Sequence, residues 1–140
     1  MAGKILLEVV TPEKQLLSQQ VDEVIAPGSE GEFGVLPGHC HFLSTLRIGE
    51  LRYRLGDQTN HMAILWGYAE VTPTKVTVMA EVAEKAEDID VSRAQAAVEK
   101  AEQRLKAGGL PSEVKEAEIS LEKARLRKKI AERASRSHSS

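Results

Sequence analysis

The 140-residue chain carries 19 basic and 21 acidic side chains, and this near balance argues against a dedicated nucleic-acid binder. Its 41% hydrophobic content excludes a disordered chain. The longest uncharged apolar run, residues 62–69, is shorter than the roughly 20 residues that a membrane-spanning helix needs. Because Cys40 is the single cysteine, an intrachain disulfide framework and a cysteine-rich zinc site are also excluded.

Residues 1–86 are predicted to form a β domain. They contain eight of the ten glycines and four of the five prolines, so turns recur at short intervals. Apolar and polar residues alternate with period two, in 51–55 and again in 76–82, where Val76, Val78, Ala80 and Val82 are expected on one face. This pattern predicts a β-sandwich of about eight to ten short strands.

Residues 87–140 are predicted to form an antiparallel two-helix hairpin. Apolar residues, mainly alanine, recur at steps of three and four. Gly108 and Gly109 are expected to end the first helix, and Ser112 is expected to cap the second after Pro111. Small side chains bury little area, so the hairpin is expected to be weakly held and mobile.

Charge is divided unequally between these two parts. Residues 1–86 carry 7 basic and 11 acidic side chains, a net charge of −4, whereas residues 87–140 carry 12 and 10, a net charge of +2. The basic residues of the second part are concentrated near its end, in a basic tail formed by Lys123, Arg125, Arg127, Lys128, Lys129, Arg133 and Arg136. From the residues alone this tail is a solvated helix end whose cations suit the helix dipole, or a nucleic-acid grip without stacking aromatics.

Three local features have simple structural interpretations. His39, Cys40, His41 and His61 lack a supporting carboxylate pair, so no metal site is predicted, and His39 is expected to cap a turn. The glycine-rich stretch 28–34 lacks the Gly-Lys-Ser/Thr ending of a phosphate loop, and it is expected to be a turn. Trp66 is either a core residue or an exposed interface residue, and the pattern does not choose between them.

Two motifs point to a known family. The segment Gly31-Glu32-Phe33-Gly34-Val35-Leu36-Pro37-Gly38-His39, and Ile89-Asp90-Val91-Ser92-Arg93-Ala94 further on, resemble signatures of the epsilon subunits of F-type ATP synthases. The resemblance covers nearly the whole chain. The chain departs from the family at His41, where a proline is usual, and this affects the expected shape of that turn.

The resemblance implies a non-catalytic subunit with defined partners. The sandwich is expected to contact the gamma subunit and the proteolipid ring, with Glu32 and His39 as subunit contacts. The hairpin is expected either to fold against the sandwich or to extend along the stalk into the catalytic head, where it inhibits ATP hydrolysis through its basic tail. The expected location is peripheral, on the cytoplasmic side of a bacterial plasma membrane.

The resemblance also implies a regulatory ATP site, although no cofactor is expected to be required. The matching residues are Glu84, Ile89, Asp90, Arg93, Ala94, Lys100, Lys123 and Arg127. From the residues alone, Asp90 and Arg93 form a helix start with a local ion pair. The alternative function is a free-standing nucleotide-sensing β-sandwich module with a helical lid.

Overall fold

The computed structural model describes residues 3–139, with side chains as far as residue 134. The chain divides into two compact units between Lys85 and Ala86. The side chain of Arg136, the last member of the predicted basic tail, lies outside the described residues. Among the described residues, no helix combines the length and apolar character needed to cross a membrane.

The first unit is a β-sandwich, as the turn spacing predicted. Its strands are β1 (Ile5–Val10), β2 (Gln15–Val21), β3 (Glu23–Gly28), β4 (Gly31–Val35), β5 (Phe42–Leu46), β6 (Gly49–Leu55), β7 (Gln58–Val71) and β8 (Lys75–Lys85).

The long strand β7 belongs to both layers of the sandwich. Residues 58–64 of β7 pair antiparallel with β6, which in turn pairs with β3 and through it reaches β4. Residues 67–71 of β7 pair instead with β5. Strand β8 follows β7 along its length and pairs in parallel with β1, which carries β2 at the edge. The two layers are therefore joined through β7 and β8, and also where Gly28 of β3 pairs with Leu46 of β5.

The alternation of side chains in 51–55 and 76–82 predicted part of the core of β6 and β8. Leu51 and Tyr53 are buried, as are Val76, Val78 and Ala80. The prediction for Val82 is wrong, because Val82 is exposed and Ala83 is buried in its place.

In β8 the residues that face the core change from even-numbered to odd-numbered between Ala80 and Ala83. Strand β7 shows the same kind of change, because its core residues are even-numbered at Met62 and Ile64 but odd-numbered at Ala69 and Val71. The two shifts face each other, since the register pairs Leu65 with Val82 and Gly67 with Ala80. We call this site the crease, formed by Trp66–Gly67 of β7 and Glu81–Val82 of β8. It is where both strands pass from one layer to the other.

The second unit begins with a short 3-10 helix, Ala86–Asp88, and continues as α1 (Val91–Ala107) and α2 (Pro111–Ser139). The helices pack through Val98, Ala101, Leu121 and Ala124, as the apolar spacing predicted. Arg104 near the end of α1 reaches Glu116 near the start of α2 at 3.8 Å. This contact fits an antiparallel hairpin.

The ends of the helices follow local chemistry, with one correction. The Asp90 side chain accepts a hydrogen bond from the Arg93 backbone N–H and caps α1, and Gly108 ends it with a φ of 71°. The prediction that Ser112 caps α2 is wrong, because the helix already begins at Pro111. Proline suits the first helical position, since its missing N–H has no partner there in any helix.

Candidate functional site

An open apolar groove with a volume of about 700 Å³ lies at the crease of the described sandwich. We call it the crease groove. Its walls come from β1, β5, β7 and β8 and the turn after β1. The lining residues are Val10, Thr11, Pro12, Thr45, Leu46, Trp66, Gly67, Tyr68, Met79, Ala80 and Glu81.

The backbone at the crease is strained and closely packed. Trp66 has a φ of 58°, a left-handed conformation that is rare for a bulky residue. Gly67 has a φ of 152°, and a Cβ atom there would lie 2.1 Å from the Met79 carbonyl oxygen. Only glycine allows β7 to approach β8 this closely, so Gly67 makes the crease possible.

Large apolar side chains are exposed in the groove. Trp66 is 38% exposed, Tyr68 56% and Met79 40%. The structure thereby decides the question that the sequence left open, and Trp66 is an exposed residue. Of the described residues that line the groove, Glu81 is the one that carries a charge. Within the described residues its carboxylate makes no ion pair.

A second apolar patch surrounds the predicted contact residue Glu32. Phe33 and Phe42 meet edge to face with ring centroids 5.0 Å apart, and Leu43 beside them is 70% exposed. The Glu32 carboxylate lies 3.2 Å from the Arg52 guanidinium. The patch thus combines exposed apolar surface with a carboxylate held by a neighbouring arginine.

His39 lies in the turn between β4 and β5. Its Nδ1 donates to the Cys40 carbonyl oxygen over 2.8 Å, and its backbone N–H donates to the Leu36 carbonyl oxygen over 3.1 Å. These bonds fit the turn-capping role expected of His39. Its role as a subunit contact stays a prediction.

His39, His41 and His61 are the histidines of the first unit. No cluster of three or more His, Cys, Asp or Glu side chains able to hold a metal occurs within the described part of the chain. His61 pairs instead with Glu50, with 3.0 Å between Nδ1 and Oε2. Glu50 is only 6% exposed. Sequence reasoning missed this pair, because Glu50 and Leu51 are both buried although they are adjacent in β6.

The predicted ATP residues are divided between the two units. Glu84 lies on β8, Ile89 and Asp90 lie just before α1, and Arg93 and Ala94 lie in its first turn. The Asp90 Oδ1 atom is 3.1 Å from the Arg93 backbone nitrogen, so its structural role is to cap the helix. The Ala94 side chain is buried, whereas that of Arg93 is exposed.

The remaining cations predicted for ATP lie along the hairpin. Lys100 is exposed on α1, two turns beyond Arg93 and on the same face. Lys123 and Arg127 are half-buried on α2, one turn apart. The structure therefore places cations on both helices.

The basic tail lies on the second half of α2. Lys129 is exposed, while Lys128 and Arg133 are half-buried. Arg125 reaches back to Glu102 of α1 at 3.7 Å. The tail thus includes Arg125, which is paired with α1, and Lys129, which is exposed to solvent.

Family comparisons cover both units. A model of the ATP synthase delta/epsilon chain beta-sandwich domain matches residues 4–86. The model of the long alpha-helix domain of the same chain matches residues 87–132.

Curated relatives agree over nearly the full length. The ATP synthase epsilon chain of Syntrophobacter fumaroxidans is 55% identical, with 95% of this chain and 99% of the relative covered. The epsilon chain of Geobacter sulfurreducens is 48% identical, with coverage of 97% and 99%.

Two solved structures have the same fold. A chain in the Euglena gracilis mitochondrial ATP synthase (OSCP/F1/c-ring) matches with a TM-score of 0.78 and 25% identity, covering 90% of this chain and 80% of that one. A chain from the central stalk and c-ring of the Tetrahymena thermophila enzyme matches with a TM-score of 0.59, covering 93% and 98%. At 15% identity the second match shows the fold alone.

Proposed function

Because the chain belongs to the ATP synthase delta/epsilon family, we propose that its sandwich docks on the gamma subunit and its hairpin restrains ATP hydrolysis. The chain is an epsilon chain, a non-catalytic subunit of the central stalk. Its place is peripheral, on the cytoplasmic side of a bacterial plasma membrane. There it couples rotation of the proteolipid ring to the catalytic head.

The crease groove is the observation that carries the docking proposal. It places Trp66, Tyr68 and Met79 on the surface of one apolar depression. Aromatic residues and methionine are enriched at protein interfaces, and contiguous exposed apolar surface marks interaction sites. The groove is therefore the docking surface for the gamma subunit.

The patch around Glu32 is the contact proposed for the ring. Phe42 and Leu43 supply exposed apolar area beside the Glu32 carboxylate. The Arg52 guanidinium lies 3.2 Å from this carboxylate and 3.3 Å from that of Glu50. A polar loop of the ring would meet the Glu32 carboxylate with apolar surface beside it.

The hairpin has the dimensions and the weak seam of a movable brake. At about 1.5 Å per residue, α1 and α2 are roughly 26 and 44 Å long, so an opened hairpin reaches on the order of 70 Å. Its buried seam rests on Val98, Leu121 and small alanines. These small side chains contribute little burial, which suits reversible opening.

Met79→Gln tests docking at the groove without changing charge. Met79 is 40% exposed, so we expect stability to change by less than about 0.5 kcal/mol. An amide buried against the gamma subunit without a hydrogen-bond partner should weaken binding roughly ten-fold. The measurement is calorimetric titration of the full chain with purified gamma subunit.

Leu110→Gln is the matched control, because Leu110 is 63% exposed and lies between the helices, outside the groove. It should bind like the unsubstituted chain. Unchanged affinity of Met79→Gln would contradict docking at the groove. Failure of the unsubstituted chain to bind gamma at all would favour the alternative of a free-standing nucleotide-sensing module.

A further inference from the structure

We propose that the crease groove receives a positively charged side chain of the docking partner, arginine or lysine, between Glu81 and the aromatic rings of Trp66 and Tyr68. The inference rests on the proposed docking of the gamma subunit at this groove. The inference adds what kind of segment occupies the groove, namely an amphipathic segment with one basic residue.

The charge of the groove favours a basic occupant. Eleven of the described residues line it, of which Glu81 is the only charged one and none is basic. Glu81 is exposed, and no described residue forms an ion pair with it. A wholly apolar occupant would remove water from this carboxylate without supplying another hydrogen-bond donor or countercharge, and burial of the charge would then be unfavourable. A basic side chain would supply the missing countercharge.

The aromatic residues of the groove favour the same occupant. Trp66 and Tyr68 line the same groove, and both keep much of their surface exposed. A guanidinium or ammonium group is attracted to the face of an indole or phenol ring, most strongly to indole. An anionic occupant would gain nothing from these rings and would be repelled by Glu81. The combination favours a cation.

The apolar walls of the groove suit a long side chain. Leu46 and Met79 line the groove together with Val10. Lysine and arginine bury their aliphatic stems along apolar surface while the charged head keeps polar contacts. One long basic side chain therefore fits both the walls and the acid.

The crease brings these groups together although they are distant in sequence. Strands β7 and β8 are paired from Met62–Lys85 to Val71–Val76, and the ladder is interrupted at one position only. Trp66 and Glu81 face each other at that position. Each strand shifts its inward face here, as the burial of Ala69 and Ala83 shows. The same irregularity that opens the groove thus places both Trp66 and Glu81 in it.

The test compares Glu81→Gln with Glu70→Gln in the full chain. Both glutamates are exposed on neighbouring strands, but Glu70 does not line the groove. We expect Glu81→Gln to bind purified gamma subunit about five-fold more weakly in low salt. The difference should shrink as salt rises, because screening weakens the charge pair. Glu70→Gln should bind like the unsubstituted chain.

Tyr68→Phe and Tyr68→Leu test the aromatic contribution. Phenylalanine keeps an aromatic face for the cation, whereas leucine keeps apolar contact without it. We expect Tyr68→Phe to retain most of the affinity and Tyr68→Leu to lose about three-fold or more. Equal affinities of these two variants would overturn the aromatic part of the site.

The outcomes separate this inference from the docking proposal. If Met79→Gln weakens binding but Glu81→Gln binds equally well or more tightly, the groove docks a segment without a cation and the inference is overturned. If Met79→Gln also binds normally, docking at the groove itself is overturned. Weakening by both, with salt sensitivity reduced only in Glu81→Gln, supports the cation.

Discussion

At the scale of single residues, Gly67 has the clearest structural requirement. Its φ is 152°, and a Cβ atom added there would lie only 2.1 Å from the Met79 carbonyl oxygen, which leaves no room for a side chain. We expect Gly67→Ala to lower the free energy of unfolding by more than about 1 kcal/mol. Urea unfolding followed by circular dichroism measures this change.

Gly34→Ala is the matched control for Gly67→Ala. A Cβ at Gly34 would meet only the Ile25 side chain, at 4.0 Å. Its effect should stay within about 0.5 kcal/mol. Equal stability of the two variants would show that the crease can relax, and would contradict the requirement for glycine where β7 approaches β8.

Asp22 ties together three segments of the sandwich. Its carboxylate accepts a hydrogen bond from Lys4 Nζ at 2.7 Å and another from the Gly56 N–H at 2.7 Å. The Lys4 hydrogen bond first, and the Gly56 N–H second, lower the pKa of Asp22 below its ordinary value of 3.8. The folded state therefore favours the ionised form.

The sign of the pH dependence follows from this lowered pKa. The contribution of Asp22 to stability is present above the unfolded pKa near 3.8 and is lost as the pH falls through the lower folded pKa. Asp22→Asn should lower Tm at pH 7, and its difference from the unsubstituted chain should narrow between about pH 5 and pH 2. Thermal unfolding across this range measures both effects, with the exposed Asp57→Asn as control. A difference that stays constant with pH would refute the assignment.

At the scale of elements, Asp90 is the N-cap of α1, and this role can be separated from a role in ATP binding. We expect Asp90→Ala to destabilise the chain by about 1 kcal/mol, because the Arg93 backbone N–H loses its acceptor. Asn is as good a cap as Asp, so Asp90→Asn should be nearly neutral. Thermal unfolding of both variants tests the cap.

The same pair of variants addresses the ATP prediction, which no feature of the fold tests. If ATP binds the hairpin as the motif implies, ATP at ten times its Kd should stabilise the chain by about 1.4 kcal/mol. Asp90→Asn keeps the cap and removes the negative charge, so altered ATP binding in this variant would reflect ligand contact. Absence of binding heat at millimolar ATP in the unsubstituted chain would refute the site.

At the scale of the whole molecule, the two parts of the chain carry net charges of opposite sign. The basic tail allows a test of the proposal that the hairpin restrains ATP hydrolysis. Lys128 and Lys129 belong to this tail. We expect Lys128→Glu with Lys129→Glu to raise ATP hydrolysis by the assembled complex roughly three- to ten-fold, since several weak surface pairs are reversed together. The amount of subunit in the complex should not change.

Lys115→Glu is the control for the brake. Lys115 is exposed near the start of α2, outside the basic tail. It should leave hydrolysis unchanged. An equal rise in both variants would mean that any loss of positive charge on the hairpin relieves the inhibition, and no rise in either would contradict the brake.

The hairpin was the most predictable part of the structure because its determinants are local. Asp90 caps a residue three positions away, and Gly108 ends α1 within its own last turn. The error at Ser112 arose where two local signals competed. Proline at the first helical position prevailed there over serine as a cap.

The chain by itself determined its two kinds of structure and its family, because strand and helix periods, turn residues and motifs act over a few neighbouring positions. The tertiary structure alone decided that Val82 is exposed, that Glu50 is buried and that Trp66 borders a groove. These outcomes depend on pairing between strands far apart in sequence, such as β1 with β8 and β5 with β7. A shift of one position at the crease exchanges the faces of a strand, and only the neighbouring strands determine where that shift falls.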